Sequence, residues 1–526
     1  MKQCILVLSL FTRLFSQIQY TIPFDWGGQN GLLIQDGALF WNRSWTSGVL
    51  LFDGTYASYP KRYGSHTSKE FSPIKMGTLP VLNDLPDSSR TTSYFDYSRG
   101  DYNYDKLALG ANYEARDQYI KINGFKRTHS GNTGHYFHPN GGQSPIHHSY
   151  RIDYGMTQDN RRIEAGVGRF ITRSGIPDST QNGLENENII TAGLRIEQSL
   201  GNWLLRGHFA QFSQHRLVHH SSLIDSNYRD INRNLFNFQL ELSEGVTVGV
   251  QQQSQHISTN IQSRSLLWTK IYGIRIFGKL SLLGGVQILN SDDAFPFVWE
   301  LDYNNKFGSG YLQLHSQGSP SPKHPKIDDP SDKSDFEYWN RTTLKGGINT
   351  KPIHFSVFLN ATQKGVTEFS GSNILFAGGN IDYTFRNGWS IFLSTMTQLD
   401  SSHFGAGGGT HTIVGLKGKL NFFKKNMRID SKLWANGTNG RIESFGFDPI
   451  HQMPFKNTNS AWILRDCWLF NFEAVANISG VLVTYKINNI LNAVGESSQK
   501  VWFRPNHVYP QLGRMMQFGV TWYFNN

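Results

Sequence analysis

The final strand constrains this chain more than any other stretch. In Met515-Met516-Gln517-Phe518-Gly519-Val520-Thr521-Trp522-Tyr523-Phe524-Asn525-Asn526, the side chains of Met516, Phe518, Val520, Trp522 and Phe524 share one face. Gln517, Gly519 and Thr521 take the other face, with Tyr523 at the rim, because successive strand side chains point to opposite sides. A chain that ends on a strand with one wholly apolar, aromatic-tipped face must bury that face. A second sheet does so in a soluble sandwich; lipid does so in an outer-membrane barrel, whose interfaces carry aromatic girdles.

Composition separates these options. Hydrophobic residues are only 38% of the 526 and the mean hydropathy is −0.42, yet aromatics reach 13% and glycine occupies 52 positions. Disordered chains are poor in aromatics. A helical membrane protein needs runs of about 20 apolar residues, and none occurs beyond the N-terminus. A barrel fits, because half of each strand faces a polar lumen and dilutes the average.

Residues 1–16 read as a signal peptide: Lys2, an apolar stretch from Cys4 to Phe15 broken by Arg13, and Ser16 before Gln17. Its removal leaves Cys467 as the one cysteine, so no intrachain disulfide forms, and lowers the formal charge from +10 to +8. No basic run or recognition-helix pattern accompanies that charge, which argues against nucleic acid. Lipopolysaccharide phosphates or anionic solutes are the expected partners.

From residue 92 onward, about 22 alternating segments follow, each near the ~10 residues a tilted membrane strand needs. Phe236, Phe238, Leu240 and Leu242 oppose Asn237, Gln239, Glu241 and Ser243; Phe297, Trp299, Leu301 and Tyr303 oppose Glu300, Asp302 and Asn304. Phe355, Val357 and Leu359 oppose Ser356 and Asn360, and Phe470 and Phe472 oppose Asn471 and Glu473. Any one strand of this kind would also suit a sandwich. The connections would not. Tight turns at Asp159-Asn160, Gly201, Glu244-Gly245, Gly278-Lys279, Asn305 to Gly308, Arg386 to Gly388, Lys424 to Asn426 and Ser479-Gly480 alternate with longer links. The longer links are read at 128–148, 174–185, 215–232, 318–339, 438–466 and 493–514. This is the layout of an all-β, transmembrane, antiparallel up-and-down β-barrel with short periplasmic turns. The last strand should close the barrel against the first, near Thr92–Arg99, because lipid tolerates no free sheet edge.

The closing stretch Tyr509-Pro510-Gln511-Leu512-Gly513-Arg514-Met515, running into the aromatic strand, resembles that of TonB-dependent receptor barrels. The run Val481 to Asn492, ending Asn488-Asn489-Ile490-Leu491-Asn492, is similar to that family's penultimate strand. The resemblance covers roughly residues 92–526. It implies a Gram-negative outer-membrane location, lipid and lipopolysaccharide contacts, and engagement of the barrel-assembly machinery by the C-terminal strand. It departs in two ways. Residues 17–91 are too few for the family's plug, and Asn525 and Asn526 follow Phe524. Segment 17–91 is therefore expected to be a periplasmic or luminal piece short of a full plug. Gln19 to Ile22 could pair with TonB as a strand, but Pro23 lacks an N–H and ends the usable length. Whether TonB is a partner stays open, and passage that needs no proton-motive force is the expectation.

Site residues are harder to read. His129, His135, His138, His147 and His148 crowd one link and His219 with His220 another, but none has the spacing of a compact metal site. No Gly-x-Ser-x-Gly elbow, His-Glu-x-x-His pair or phosphate loop occurs, so neither an enzyme nor a cofactor is expected. The candidate lumen-facing residues are Lys121, Asn123, Glu241, Glu300, Asp302, Lys417, Lys419, Arg428, Asp430, Lys432, Glu473 and Lys486. The candidate membrane-facing aromatics are Phe236, Phe238, Trp299, Phe472, Trp522 and Phe524. Arg at Leu240 should be costly and Arg at the inward Gln239 mild. The expected function is passage or uptake of solutes, porin-like or receptor-like; a structural or surface-interaction barrel with a closed lumen is the alternative.

Overall fold

Strands that alternate apolar and polar side chains can face lipid only if the sheet closes on itself, since every edge N–H and C=O needs a partner. The computed structural model describes residues 89–131, 146–175, 183–219, 227–243, 245–260, 263–290, 295–322, 336–363, 373–385, 388–399, 409–423, 426–439, 466–491 and 513–525, with six short strands besides. The signal peptide read at residues 1–16 lies outside them, as do His135, His138 and His220.

Four of the short strands, β1 (Gln19–Pro23), β2 (Gly31–Gln35), β3 (Ala38–Arg43) and β4 (Gly48–Leu51), form their own antiparallel meander. The wall begins with β5 (Arg90–Gly100), β6 (Tyr104–Ala115), β7 (Gln118–Thr128), β8 (Ile146–Gln158) and β9 (Arg161–Gly175). It continues through β10 (Leu184–Leu200), β11 (Trp203–His219), β12 (Asn227–Ser243), β13 (Val246–Thr259), β14 (Ser263–Phe277) and β15 (Leu280–Leu289). Next come β16 (Phe297–Phe307), β17 (Gly310–Pro322), β18 (Phe336–Asn349), β19 (Ile353–Gln363), β20 (Asn373–Thr384) and β21 (Ser390–Gln398). Then follow β22 (Thr410–Phe422), β23 (Met427–Asn439) and, after the hairpin β24 (Phe445–Asp448) and β25 (Met453–Lys456), the last three strands β26 (Cys467–Ile478), β27 (Val481–Asn488) and β28 (Met515–Asn525). All wall strands pair with their sequence neighbours, and β28 pairs with β5, from Gln517↔Gly100 to Asn525↔Thr92. The result is a closed antiparallel barrel of 22 strands.

Connections at one end span two to five residues, whereas those at the other span three to 27. Both β5 and β28 have their outer termini on the short-turn side, the periplasmic side of such barrels. The turn Ser479-Gly480 shows why two residues suffice: their φ values of 49° and 90° suit a primed hairpin turn, which matches the twist of the flanking strands.

The strands run further than lipid requires. β10, β11 and β12 have 17 residues each, against the ~10 a membrane crossing needs. The excess lies at the long-loop end, where the outer face turns polar: Gln211, Ser213 and His215 on β11, and Asp230, Asn232 and Asn234 on β12. These strands continue above the bilayer, and the link expected at 215–232 shrinks to 220–226.

The seam makes a direct prediction. A Cβ placed on Gly519 lies 3.4 Å from Ser98 Cβ, close to the ~3.5–4.5 Å separation of a disulfide. Ser98→Cys with Gly519→Cys should oxidise into a covalently closed barrel that keeps its compact electrophoretic mobility after boiling. Cysteines at 96 and 519, two positions out of register, should stay reduced.

Candidate solute pathway

Register assigns a face to every wall residue. Phe236, Phe238, Trp299, Phe472, Trp522 and Phe524 lie on the outer face, where apolar side chains stay exposed; Phe236 is 53% accessible. Trp203, Phe277, Phe307, Phe385 and Phe422, near the short-turn end, add to a periplasmic aromatic girdle. Trp522 and Phe524 pack there with ring centroids 4.4 Å apart.

Lys121, Asn123, Glu241, Glu300, Asp302, Lys417, Lys419, Arg428, Asp430, Lys432, Glu473 and Lys486 all fall on the inner face. The barrel brings the last seven of these, from Lys417 to Lys486, onto one continuous arc. Lys417 pairs with Asp382 and sits opposite Lys432, which sits opposite Glu473, which sits opposite Lys486. Arg428 holds Asp430 at 2.6 Å, and across the seam Lys106 holds Asp96 at 2.7 Å. On the far arc, Arg206 lies between Glu241 (2.7 Å) and Glu197 (3.7 Å). Charges of both signs interleave along the wall, although Lys417 and Lys432 face each other as like charges.

Accessibility varies over the inner face. Near the short turns it meets solvent on β22 and β23, where the Lys417 and Arg428 side chains are 48% and 51% exposed, whereas Thr247, Ile274, Leu283 and Tyr311, also inward and near short turns, are buried. Toward the long connections it is covered. There Phe170, Ile189, Ala210, Phe212, Leu235 and Trp268 form an apolar cluster on the inner face, joined by Phe125 and Phe336; Phe170 is 1% and Leu235 0% accessible. A barrel of 22 strands is too wide for wall side chains alone to fill. Two contacts come from the tips of β17 and β18: Phe336 meets Trp268 edge-on at 5.6 Å, and Gln287 Nε2 donates to the Pro320 carbonyl (3.1 Å). Polar groups flank the cluster. Arg216 donates to Glu185 at 2.7 Å, and Arg233 lies 5.7 Å from the Phe212 ring centre.

Seven of the twelve charged and amide positions named from sequence lie on the arc from β22 to β27. The apolar cluster was missed, because an apolar residue on a membrane strand reads as lipid-facing. Its signal is visible in hindsight: Leu235 stands beside Phe236, so one of the two must point inward. Gln239 is also not the tolerant position expected of a wet lumen. It is 1% accessible and donates to Tyr272 Oη (3.1 Å), which donates to Asn237 (2.7 Å).

The histidines divide as well. His147 faces inward and His148 outward, and no group of three metal-ligating side chains is arranged to hold an ion among the described residues. His129, just beyond β7, packs edge-on against Tyr102 and Tyr104 at 6.5 and 6.1 Å. Burial, aided by Arg127, pushes its imidazole down to about 3. A released loop would protonate this group near 6.5. The contact is therefore at full strength above that pH and loses about 1.4 kcal/mol per unit below it, until about pH 3. The Ser130 amide, which donates to the Tyr102 carbonyl (2.9 Å), should lose hydrogen-exchange protection roughly ten-fold per unit below pH 6.5. His129→Phe should remove that pH dependence.

No protein-family model matches the chain, and no characterised protein matches it in sequence. Solved structures do. The FrpB iron transporter of Neisseria meningitidis superposes with a TM-score of 0.60 at 12% identity, over 84% of this chain and 82% of that one. The siderophore receptor PirA of Pseudomonas aeruginosa gives 0.54 at 8% identity, over 84% and 81%. The copper transporter OprC gives 0.56 at 11% identity, over 83% and 80%. The fold is that of a TonB-dependent receptor barrel. The receptor-type wall and its apolar outer belt place the chain in a Gram-negative outer membrane.

Proposed function

We propose that this receptor-type barrel admits a solute through a gate on its extracellular side. The carrying observation is the apolar cluster buried on the inner face beneath the long connections, with the solvent-exposed Lys417 and Arg428 arc nearer the short turns. A solute that parts the connections would meet the Phe170, Phe212 and Trp268 surface first and then descend into the mixed-charge vestibule lined by Lys417, Arg428 and Glu473. Aromatic rings next to arginines suit an amphipathic solute with anionic groups. A metal held in an organic chelate has that character, and the iron, siderophore and copper proteins of similar fold make it the first cargo to try.

Energy coupling follows from where the gate lies. The segment that could pair with TonB, Gln19–Pro23, is already paired along one edge with β2, and its last residue cannot donate. Uptake of a radiolabelled ferric chelate by cells bearing the protein should therefore persist after an uncoupler collapses the proton-motive force. Uptake that stops with the uncoupler, and returns only with intact TonB, would make the protein an energised receptor.

A further inference from the structure

We propose that the inner wall from β22 to β27 holds a binding site for a small polycarboxylate, with Lys419, Lys432 and Lys486 as its cationic contacts. All three side chains face the lumen. Lys432 on β23 stands directly opposite Glu473 on β26, and Glu473 stands opposite Lys486 on β27. Lys419 lies one same-face step from Lys417, the residue on β22 opposite Lys432. Neighbouring strands lie about 4.8 Å apart and same-face residues about 6.6 Å apart. Lys419 and Lys486 are therefore within about 10 Å of Lys432 at the backbone, a span that flexible four-carbon stems can close onto one small molecule. Lys419 is exposed, and Lys432, Glu473 and Lys486 are half-buried, so solvent reaches the group.

The surroundings leave these ammonium groups available. Asp382 takes Lys417, and Asp430 takes Arg428. Lys419, Lys432 and Lys486 form no hydrogen bond or ion pair among the described residues, and neither does Glu473. Lys432 is held instead over two ring faces, 4.7 Å from the Trp434 centre and 5.0 Å from that of Phe392. Those rings flank Gly415, which leaves them room: a Cβ there would lie 2.6 Å from Phe392 Cζ. A ring face attracts a cation without supplying a counter-charge, so Lys432 is positioned but not neutralised. Three unpaired lysines against one unpaired glutamate draw an anion to this part of the wall. The donors also select its class. Phosphate is favoured by an arginine fork or by clustered backbone N–H groups, and here the backbone is engaged in strand pairing. Separate point charges on three strands suit carboxylates carried several ångströms apart on one molecule. The inference rests on the passage proposed above, of which the site would be one station. A ligand can reach it from the short-turn side with the connections closed, so binding is measurable apart from uptake.

The test is isothermal titration calorimetry on the folded protein in detergent at low salt, with tricarballylate, acetate and inorganic phosphate as probes. The parent is compared with K419Q, K432Q, K486Q and E473Q, and with K279Q, which removes an exposed cation from the β14–β15 turn. Heat-modifiable mobility confirms that each variant is folded; if one lysine variant is not, the other two carry the test. The parent should bind tricarballylate at least ten-fold more tightly than acetate or phosphate. Each of the three lysine substitutions should weaken that binding roughly ten-fold, and K279Q should match the parent. E473Q should strengthen it several-fold by removing the acid that faces the ligand, a gain that a merely structural role for these residues would not produce. No saturable binding by the parent overturns the proposal. So does phosphate binding as tight as tricarballylate, undiminished binding in the folded lysine variants, or weaker binding in E473Q. Binding as expected without uptake would remove the passage and keep the site, whereas uptake without binding would remove the site alone.

Discussion

A variant in which residues 323–335 and 440–466 are replaced by short turns should conduct in planar bilayers as discrete steps, while the parent stays nearly silent. The increase should be roughly ten-fold or more, because walls of 16 to 18 strands already enclose an aqueous channel and this one has 22. The expectation comes from the apolar cluster buried on the inner face beneath the long connections. Deleting residues 17–89 should by the same reasoning leave conductance low. A silent loop variant, with steps appearing on deletion of 17–89, would put the N-terminal segment in the lumen instead. Both variants keep every wall strand, and heat-modifiable mobility checks that the barrel still closes.

Leu240→Arg should cost about 2–4 kcal/mol and sharply lower the yield of folded barrel, because the charge would sit on the lipid face near mid-membrane. Leu240 lies between Leu205 and Val248 on the outer surface. Asn232→Arg, on the same face of β12 but above the belt, should be nearly neutral. Gln239→Arg should be costly for a different reason, since it would insert a charge into the closed Gln239–Tyr272–Asn237 network. Urea unfolding in lipid vesicles separates the cases. Equal tolerance at 240 and 232 would remove the lipid assignment.

Local alternation sufficed to read much of this protein. A strand's side chains have a period of two whatever the strand pairs with. The facing of Phe236 against Asn237, of Leu416 against Lys417 and of Phe472 against Glu473 was therefore legible without a structure. So were the positions of most short turns, from Gly and Asn at points where the chain must reverse, and the β28–β5 seam, since a sheet in lipid can have no edge. Three things were not legible. Whether an inward position is wet or packed depends on what crosses the lumen, which no strand carries in its own sequence; Gln239 was misjudged on that account, and the inward Leu235 was given no face. The strand ends at the long-loop side were set too low, because hydrogen bonding between strands continues after the outer face has left the lipid. Lys419, Lys432 and Lys486 lie on three strands and become one surface only through register. Periodicity is a property of the chain, while cover, height and juxtaposition are properties of the closed barrel, fixed by pairings between residues far apart in sequence.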